Sequence, residues 1–233
     1  MNEPLLTTST PPITVLGTAP GAAGTGRTAA TVGIDAAGDG IPDPRRLLRV
    51  AALIGSVRRG SLNRALFRAA LGAAPDDVVL EPVAIERLPF YDGDLEAADA
   101  SPDVRAFRAA IAAADAVLVV TPEYNRSLPA VVKNAIDWAS RPRSSAAIAG
   151  KPVLLIGATP GMGAVRHALD HAAAVLAFAG AVPFERRLGV ADAARLLDPD
   201  GDTPDPGLRE DLADLLASFA AGLRSEGRAE VAA

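Results

Sequence analysis

The sequence predicts a doubly wound α/β domain, a five-stranded parallel sheet with helices on both faces. Three observations predict it. Short continuous apolar runs recur, at Val50-Ala51-Ala52-Leu53-Ile54, Ala116-Val117-Leu118-Val119-Val120 and Pro152-Val153-Leu154-Leu155-Ile156, each stopped by Gly or by Thr-Pro. Runs of this kind mark strands buried on both faces. Between them, apolar residues return at helical spacing. Strict strand–helix alternation then requires parallel pairing through right-handed crossovers.

The elements follow in order. After the strand at 50–54, Leu62, Leu66, Ala69 and Ala73 lie on one helical face. Residues 78–85 read as a second strand. Pro102 opens a helix whose buried face is Val104, Phe107, Ala110 and Ile111. The third strand is 116–120. Leu128, Val131, Val132, Ala135, Ile136 and Ala139 then form a single apolar stripe. The fourth strand, 152–156, leads to a helix through Val165, Leu169, Ala172 and Leu176. Residues 181–184 are a short last strand. Asp205-Pro206 is a cap followed by proline at the first turn, starting a helix on Leu208, Leu212, Leu215, Leu216, Phe219 and Leu223.

The 233 residues suit one domain, and a hydrophobic fraction of 49% supplies its core. That domain is expected over 47–225. Residues 1–46, rich in Thr, Ala, Gly and Pro without sustained periodicity, are expected to be a disordered or low-complexity extension, and 226–233 a disordered tail. The stretch Gly21–Gly26 imitates a dinucleotide fingerprint, but no strand precedes it and no helix follows. A net charge of −5 without a basic run argues against nucleic acid as partner. The absence of cysteine excludes disulfides, thiolate nucleophiles and Cys-ligated metals, and fits a reducing cytoplasm. No run approaches the roughly 20 apolar residues of a membrane span, and no secretory signal is evident. A cytoplasmic protein is therefore expected.

In a sheet of this kind ligands bind beyond the carboxyl ends of the strands, which selects three loops. The first, Gly55 to Asn63, joins a buried strand to a helix N-terminus, where backbone amides and the dipole favour an anion. Ser56 and Ser61 add hydroxyls, Asn63 an amide and Arg58 a charged fork suited to phosphate. Gly55 and Gly60 have the spacing of a P-loop, but Ser61 stands where its lysine belongs. The second loop, Thr121 to Pro129, is stiffened by two prolines and carries Tyr124. Its Glu123 is a candidate general acid or base. The third, Gly157 to Gly163, has glycines that permit close approach of a flat ligand.

Together these loops resemble the NADPH-dependent FMN reductase family, which includes quinone, azo-dye and chromate reductases. One family signature, G-S-x-R-x-x-S-x-N, is matched by Gly55, Ser56, Arg58, Ser61 and Asn63. A second, P-E-Y-N-x-S-x-P-x-x-x-K-N-x-x-D-W, resembles the stretch with Pro122, Glu123, Tyr124, Asn125, Ser127, Pro129, Lys133, Asn134, Asp137 and Trp138. In the third loop, Thr159-Pro160-Gly161-Met162-Gly163 replaces a turn richer in paired glycines. The resemblance spans about residues 49–190.

It implies a flavodoxin-like fold with strand order 2-1-3-4-5 and noncovalent FMN. Ser56, Arg58, Ser61 and Asn63 would hold the phosphate, and Leu62 would also bind the cofactor. Pro122, Glu123, Tyr124 and Asn125 would pack on the isoalloxazine, and Thr159 and Gly161 would complete the ring site. Flavin N5 would take hydride from NAD(P)H and pass electrons to a small acceptor: a quinone, azo compound, free flavin or metal oxyanion. No catalytic side chain and no metal ligand is then required. Relatives of this kind imply a homodimer or homotetramer.

His167 and His171 have zinc-compatible spacing, but Ala168 stands where an HExxH motif needs glutamate, so a solvated or subunit-facing pair is expected. Trp138 is either core or part of an interface beside the flavin. Arg58 is expected to position phosphate and Arg59 to be solvated. The alternative function is a flavin-binding electron carrier or regulator without direct nicotinamide turnover, although carriers are typically more strongly acidic. A sugar- or nucleotide-phosphate binder would use the first loop alone.

Overall fold

A computed structural model describes residues 14–16, 46–97, 101–198 and 205–231. Its strands are β1 (Thr14–Leu16), β2 (Leu48–Ile54), β3 (Val78–Val83), β4 (Ala116–Val120), β5 (Pro152–Ala158) and β6 (Val182–Val190). The helices are α1 (Leu62–Ala73), α2 (Gly93–Ala97), α3 (Pro102–Ala113), α4 (Ala130–Ala139), α5 (Arg166–Phe178), α6 (Ala193–Leu196) and α7 (Pro206–Val231).

The sheet order is β1-β6-β5-β4-β2-β3. Strands β2 to β6 are all parallel, in the expected order 2-1-3-4-5, and β1 adds an antiparallel edge. Side chains alternate across the sheet and build two cores. Val117 and Val119 meet α3, α4 and α5 through Phe107, Ile136, Trp138 and Leu169. Ala116, Leu118 and Val120 meet α1 and α7 through Leu66, Phe67, Leu212 and Phe219. All five residues of β4 are fully buried, the mark of a central strand.

Several expectations at the element ends need correction, and the second strand is Val78–Val83 rather than 78–85. The last parallel strand is Val182–Val190 rather than 181–184. Glu185, Arg186 and Arg187 interrupt its apolar pattern, yet Arg187 is buried and pairs with Asp170 at 2.7 Å. The extension expected to lack structure contributes β1, which pairs with Arg187–Gly189. Arg46, assigned to the same extension, bonds Asp115 at 2.6 Å; residues 1–13 and 17–45, with the Gly21–Gly26 stretch, lie outside the described residues. Helix α7 continues to Val231, past the expected domain end at 225, because Glu226, Arg228, Ala229 and Glu230 favour helix and no proline intervenes. Only 232–233 of the expected tail lie outside the described residues.

An edge strand invites pairing with another chain. Here β1 covers the carboxyl-terminal part of the β6 edge, and Pro183 removes a donor from its beginning.

Candidate functional site

The ends of β2 and β4 lie in register with Ile156 near the end of β5: Ile54 pairs with Val120, and Val120 with Ile156. Two backbone bonds continue the alignment into the loops, Gly55 N to Val120 O at 2.8 Å and Thr121 N to Ile156 O at 2.9 Å. The three predicted loops therefore stand side by side, beyond the carboxyl ends of the strands. They enclose a cleft of about 370 Å³, inside the usual range of small-molecule sites.

Ser56, Arg58, Ser61, Leu62, Asn63, Pro122, Glu123, Tyr124 and Thr159 all line this cleft, with Ala158 and Pro160, which sequence reasoning missed. Asn125 and Gly161 do not line it. Asn125 and Arg126 are the left-handed central residues of a tight turn, φ 50° and 60°, in which Tyr124 and Ser127 exchange two backbone bonds of 3.0 Å. Gly161 is held in its own turn, its N–H donating to Thr159 Oγ1 and its carbonyl accepting from Asp192 N.

The first loop brings polar groups to the N-terminus of α1. Ser61 caps α1, its Oγ accepting from Arg64 N at 3.2 Å. That bond leaves the hydroxyl hydrogen to donate elsewhere. Ser56 is buried and Arg58 exposed. Asn63 lines the cleft and also has a structural task. It is buried; its Nδ2 donates to Ala158 O and its Oδ1 accepts from Ala158 N, both at 2.9 Å. Its amide pins α1 to the third loop.

Glu123 is the one carboxylate lining the cleft, and its Oε2 accepts from Ala168 N at 3.2 Å. That bond gives it a structural partner. The lining thus offers hydroxyls, a guanidinium and a helix N-terminus beside Pro122, Tyr124, Ala158 and Pro160. This donor set fits a phosphate ester carried on a planar ring, which is the chemistry of FMN.

A model of the family described as NADPH-dependent FMN reductase matches residues 48–194. The chain belongs to this family. It is an FMN-dependent NAD(P)H oxidoreductase. A 2-hydroxy-1,4-benzoquinone reductase of Burkholderia sp is 44% identical over 131 residues, covering 56% of this chain and 71% of the relative. An NAD(P)H-dependent FMN reductase of Pseudomonas aeruginosa is 37% identical over 164 residues, 70% of this chain and 88% of the relative. The solved structure of FerB, a flavoenzyme NAD(P)H:(acceptor) oxidoreductase from Paracoccus denitrificans, superposes with a TM-score of 0.70 at 33% identity, covering 77% of this chain and 98% of that one.

The rest of the second signature has a structural task in this reductase. Trp138 is fully buried, so of its two readings the core one holds. Its Nε1 donates to Pro89 O at 2.7 Å, and Asn134 donates to the same carbonyl at 2.9 Å while accepting from Tyr91 N at 2.8 Å. Tyr91 packs edge-on against Trp138, and its hydroxyl donates to Glu96, which raises its pKa above the ordinary phenol value. Asn134→Ala leaves the Tyr91 amide unpaired. We expect it to cost about 2–3 kcal/mol in a denaturant melt while FMN stoichiometry stays at the wild-type value.

Of the two histidines, His171 is exposed and bonds Ser127 Oγ through Nδ1 at 2.8 Å, whereas His167 is half-buried. Among the described residues no cluster of three or more His, Cys, Asp or Glu is placed to hold a metal, and no helix is long and apolar enough to cross a membrane. A second, larger groove of about 750 Å³ runs between α4 and α5, lined by Lys133, Asp137, Arg141, Val175 and Phe178 among others. Sequence reasoning did not foresee it.

Proposed function

We propose that this reductase delivers electrons from NAD(P)H to small quinones, with Ser56, Arg58 and Ser61 holding the FMN phosphate and Pro122, Tyr124 and Thr159 bordering the ring. The observation that carries the reading is the single cleft in which phosphate donors and planar surfaces meet. When bound, FMN supplies hydride-accepting and electron-donating chemistry. The chain's own part is positional. Arg58 and the α1 N-terminus offset phosphate charge, and Pro122 with the tight turn after it holds Tyr124 at the rim. Reducing a quinone to a hydroquinone takes one hydride equivalent from NAD(P)H and one proton. Water can supply that proton.

The similarity to a benzoquinone reductase supports quinone over the other acceptors. Steady-state assay of the FMN-loaded enzyme with NADPH against 1,4-benzoquinone, an azo dye, free FMN and chromate tests the choice. We expect kcat/KM for the quinone to exceed the others by about tenfold or more. A preference for free flavin or chromate contradicts the assignment, and no nicotinamide oxidation with any acceptor would favour an electron carrier.

The groove between α4 and α5 supports a homo-oligomer. Phe178, 86% exposed, stands in it beside Val175, and the paired charges of Lys133 and Asp137 could meet their own copies across a two-fold axis. Light scattering should give at least twice the 23.7 kDa chain mass. A monomer at assay concentration contradicts this. The cysteine-free composition supports a cytoplasmic location.

A further inference from the structure

We propose that Glu123 and His171 form a latch that fixes the Pro122–Ser127 turn to α5, making Glu123 a positioning residue for the flavin site. The functional part of this inference rests on the reading of the cleft as the FMN site.

The need for the latch begins at α5. Ala164 and Val165, both at φ 48°, precede the helix in left-handed backbone, a strained conformation for a β-branched residue. Val165 occupies the cap position and has no side-chain acceptor to offer. A helix start leaves backbone N–H groups without partners and concentrates positive partial charge. Arg166 N finds Gly163 O, but Ala168 N is served from another loop, by Glu123 Oε2 at 3.2 Å. A carboxylate there answers both the missing acceptor and the dipole.

The turn needs the same bond from its own side. Asn125 and Arg126 are both left-handed non-glycine residues, which stores conformational energy that the surroundings must offset. Glu123 anchors the turn's entry. At its exit, Ser127 Oγ and His171 Nδ1 lie 2.8 Å apart. Ala168 and His171 are three residues apart, so both anchors fall within one turn of the same helix. Tyr124, which lines the cleft, lies between them. Because the third loop runs directly into α5, the latch fixes the second loop against the third. It thereby sets the opening available to a planar ring.

The test compares Glu123→Ala, Glu123→Gln and His171→Ala in the full chain. Amide hydrogen exchange is followed in the apoprotein, and FMN affinity by quenching of flavin fluorescence. Glu123→Ala should speed exchange at both Ala168 and Ser127 and weaken FMN about tenfold. Glu123→Gln keeps an acceptor oxygen and should recover most of the protection and the affinity. His171→Ala should speed exchange at Ser127 and leave Ala168 protected.

Faster exchange at Ala168 with FMN affinity unchanged would reduce Glu123 to a helix cap and overturn the proposal. Weakened FMN with exchange unchanged would also overturn it, by pointing to direct contact. If the wild-type chain takes up no FMN, the cofactor reading fails separately. The latch is then decided by whether Ala168 and Ser127 lose protection together in Glu123→Ala, and an unchanged Ser127 overturns it.

Discussion

Arg58→Ala combined with Ser61→Ala is expected to abolish FMN retention while the domain stays folded. Both side chains line the cleft at the N-terminus of α1, and neither belongs to the apolar core. Each lost charge-assisted bond to phosphate should cost about 1.5–3 kcal/mol. Together they weaken FMN by about two to four orders of magnitude. Ser61 also caps α1 through Arg64 N, so the serine change carries a separate stability cost of about 1 kcal/mol. Ser61→Asp separates the two effects. Aspartate keeps the cap but places a negative charge against the phosphate, so stability should return and FMN should not. Flavin absorbance after gel filtration, with circular dichroism as the folding control, reads both. Wild-type FMN affinity in the double variant would show that this loop does not hold the phosphate.

Gly157→Ala should be strongly destabilising although it adds a single methyl. A Cβ at this position would lie 2.2 Å from Thr121 O and 2.7 Å from Val165 Cγ2. The carbonyl belongs to backbone already tied to β5 through Thr121 N and Ile156 O. Relief therefore requires the ends of β4 and β5 to separate. Overpacking of this kind costs about 3 kcal/mol, a fall of about 10 °C in Tm for a chain of this size. The same movement displaces the second loop against the third, so FMN affinity should fall with stability. Gly163→Ala is the control, because nothing lies within 4 Å of its added Cβ. A Gly157→Ala protein that melts with the wild type would mean that the two loops do not pack as described.

Much of this architecture was legible in the sequence because a buried parallel strand admits few residue types. The runs at 50–54, 116–120 and 152–156 could hardly serve another element, and their ends located the loops. β6 was harder to read. Its first half lies at a sheet edge where charged residues are tolerated, and Arg187 is buried only because Asp170 meets it. β1 was not legible, since Thr14–Leu16 is too short to show a period.

Within the site, sequence identified side-chain types but not the direction in which each would act. Asn63 has the chemistry of a phosphate ligand, and its amide also bonds both polar backbone atoms of Ala158. Glu123 has the chemistry of a general base, yet it serves Ala168 N. Such bonds join residues far apart in the chain, and no local spacing encodes them. Ala158 and Pro160 line the cleft through backbone shape, which residue chemistry does not advertise. The groove between α4 and α5 depends on how two helices pack, and became visible only once they were placed together.

The central claim is that this cleft holds FMN where a nicotinamide can reduce it. Anaerobic titration of the purified, FMN-loaded protein with NADPH tests this most directly, with the flavin's visible absorbance as the readout. The account predicts bleaching by one equivalent of NADPH per flavin, and recovery of the oxidised spectrum when 1,4-benzoquinone is added. Flavin that stays oxidised under excess NADPH and NADH, but bleaches with dithionite, would contradict it.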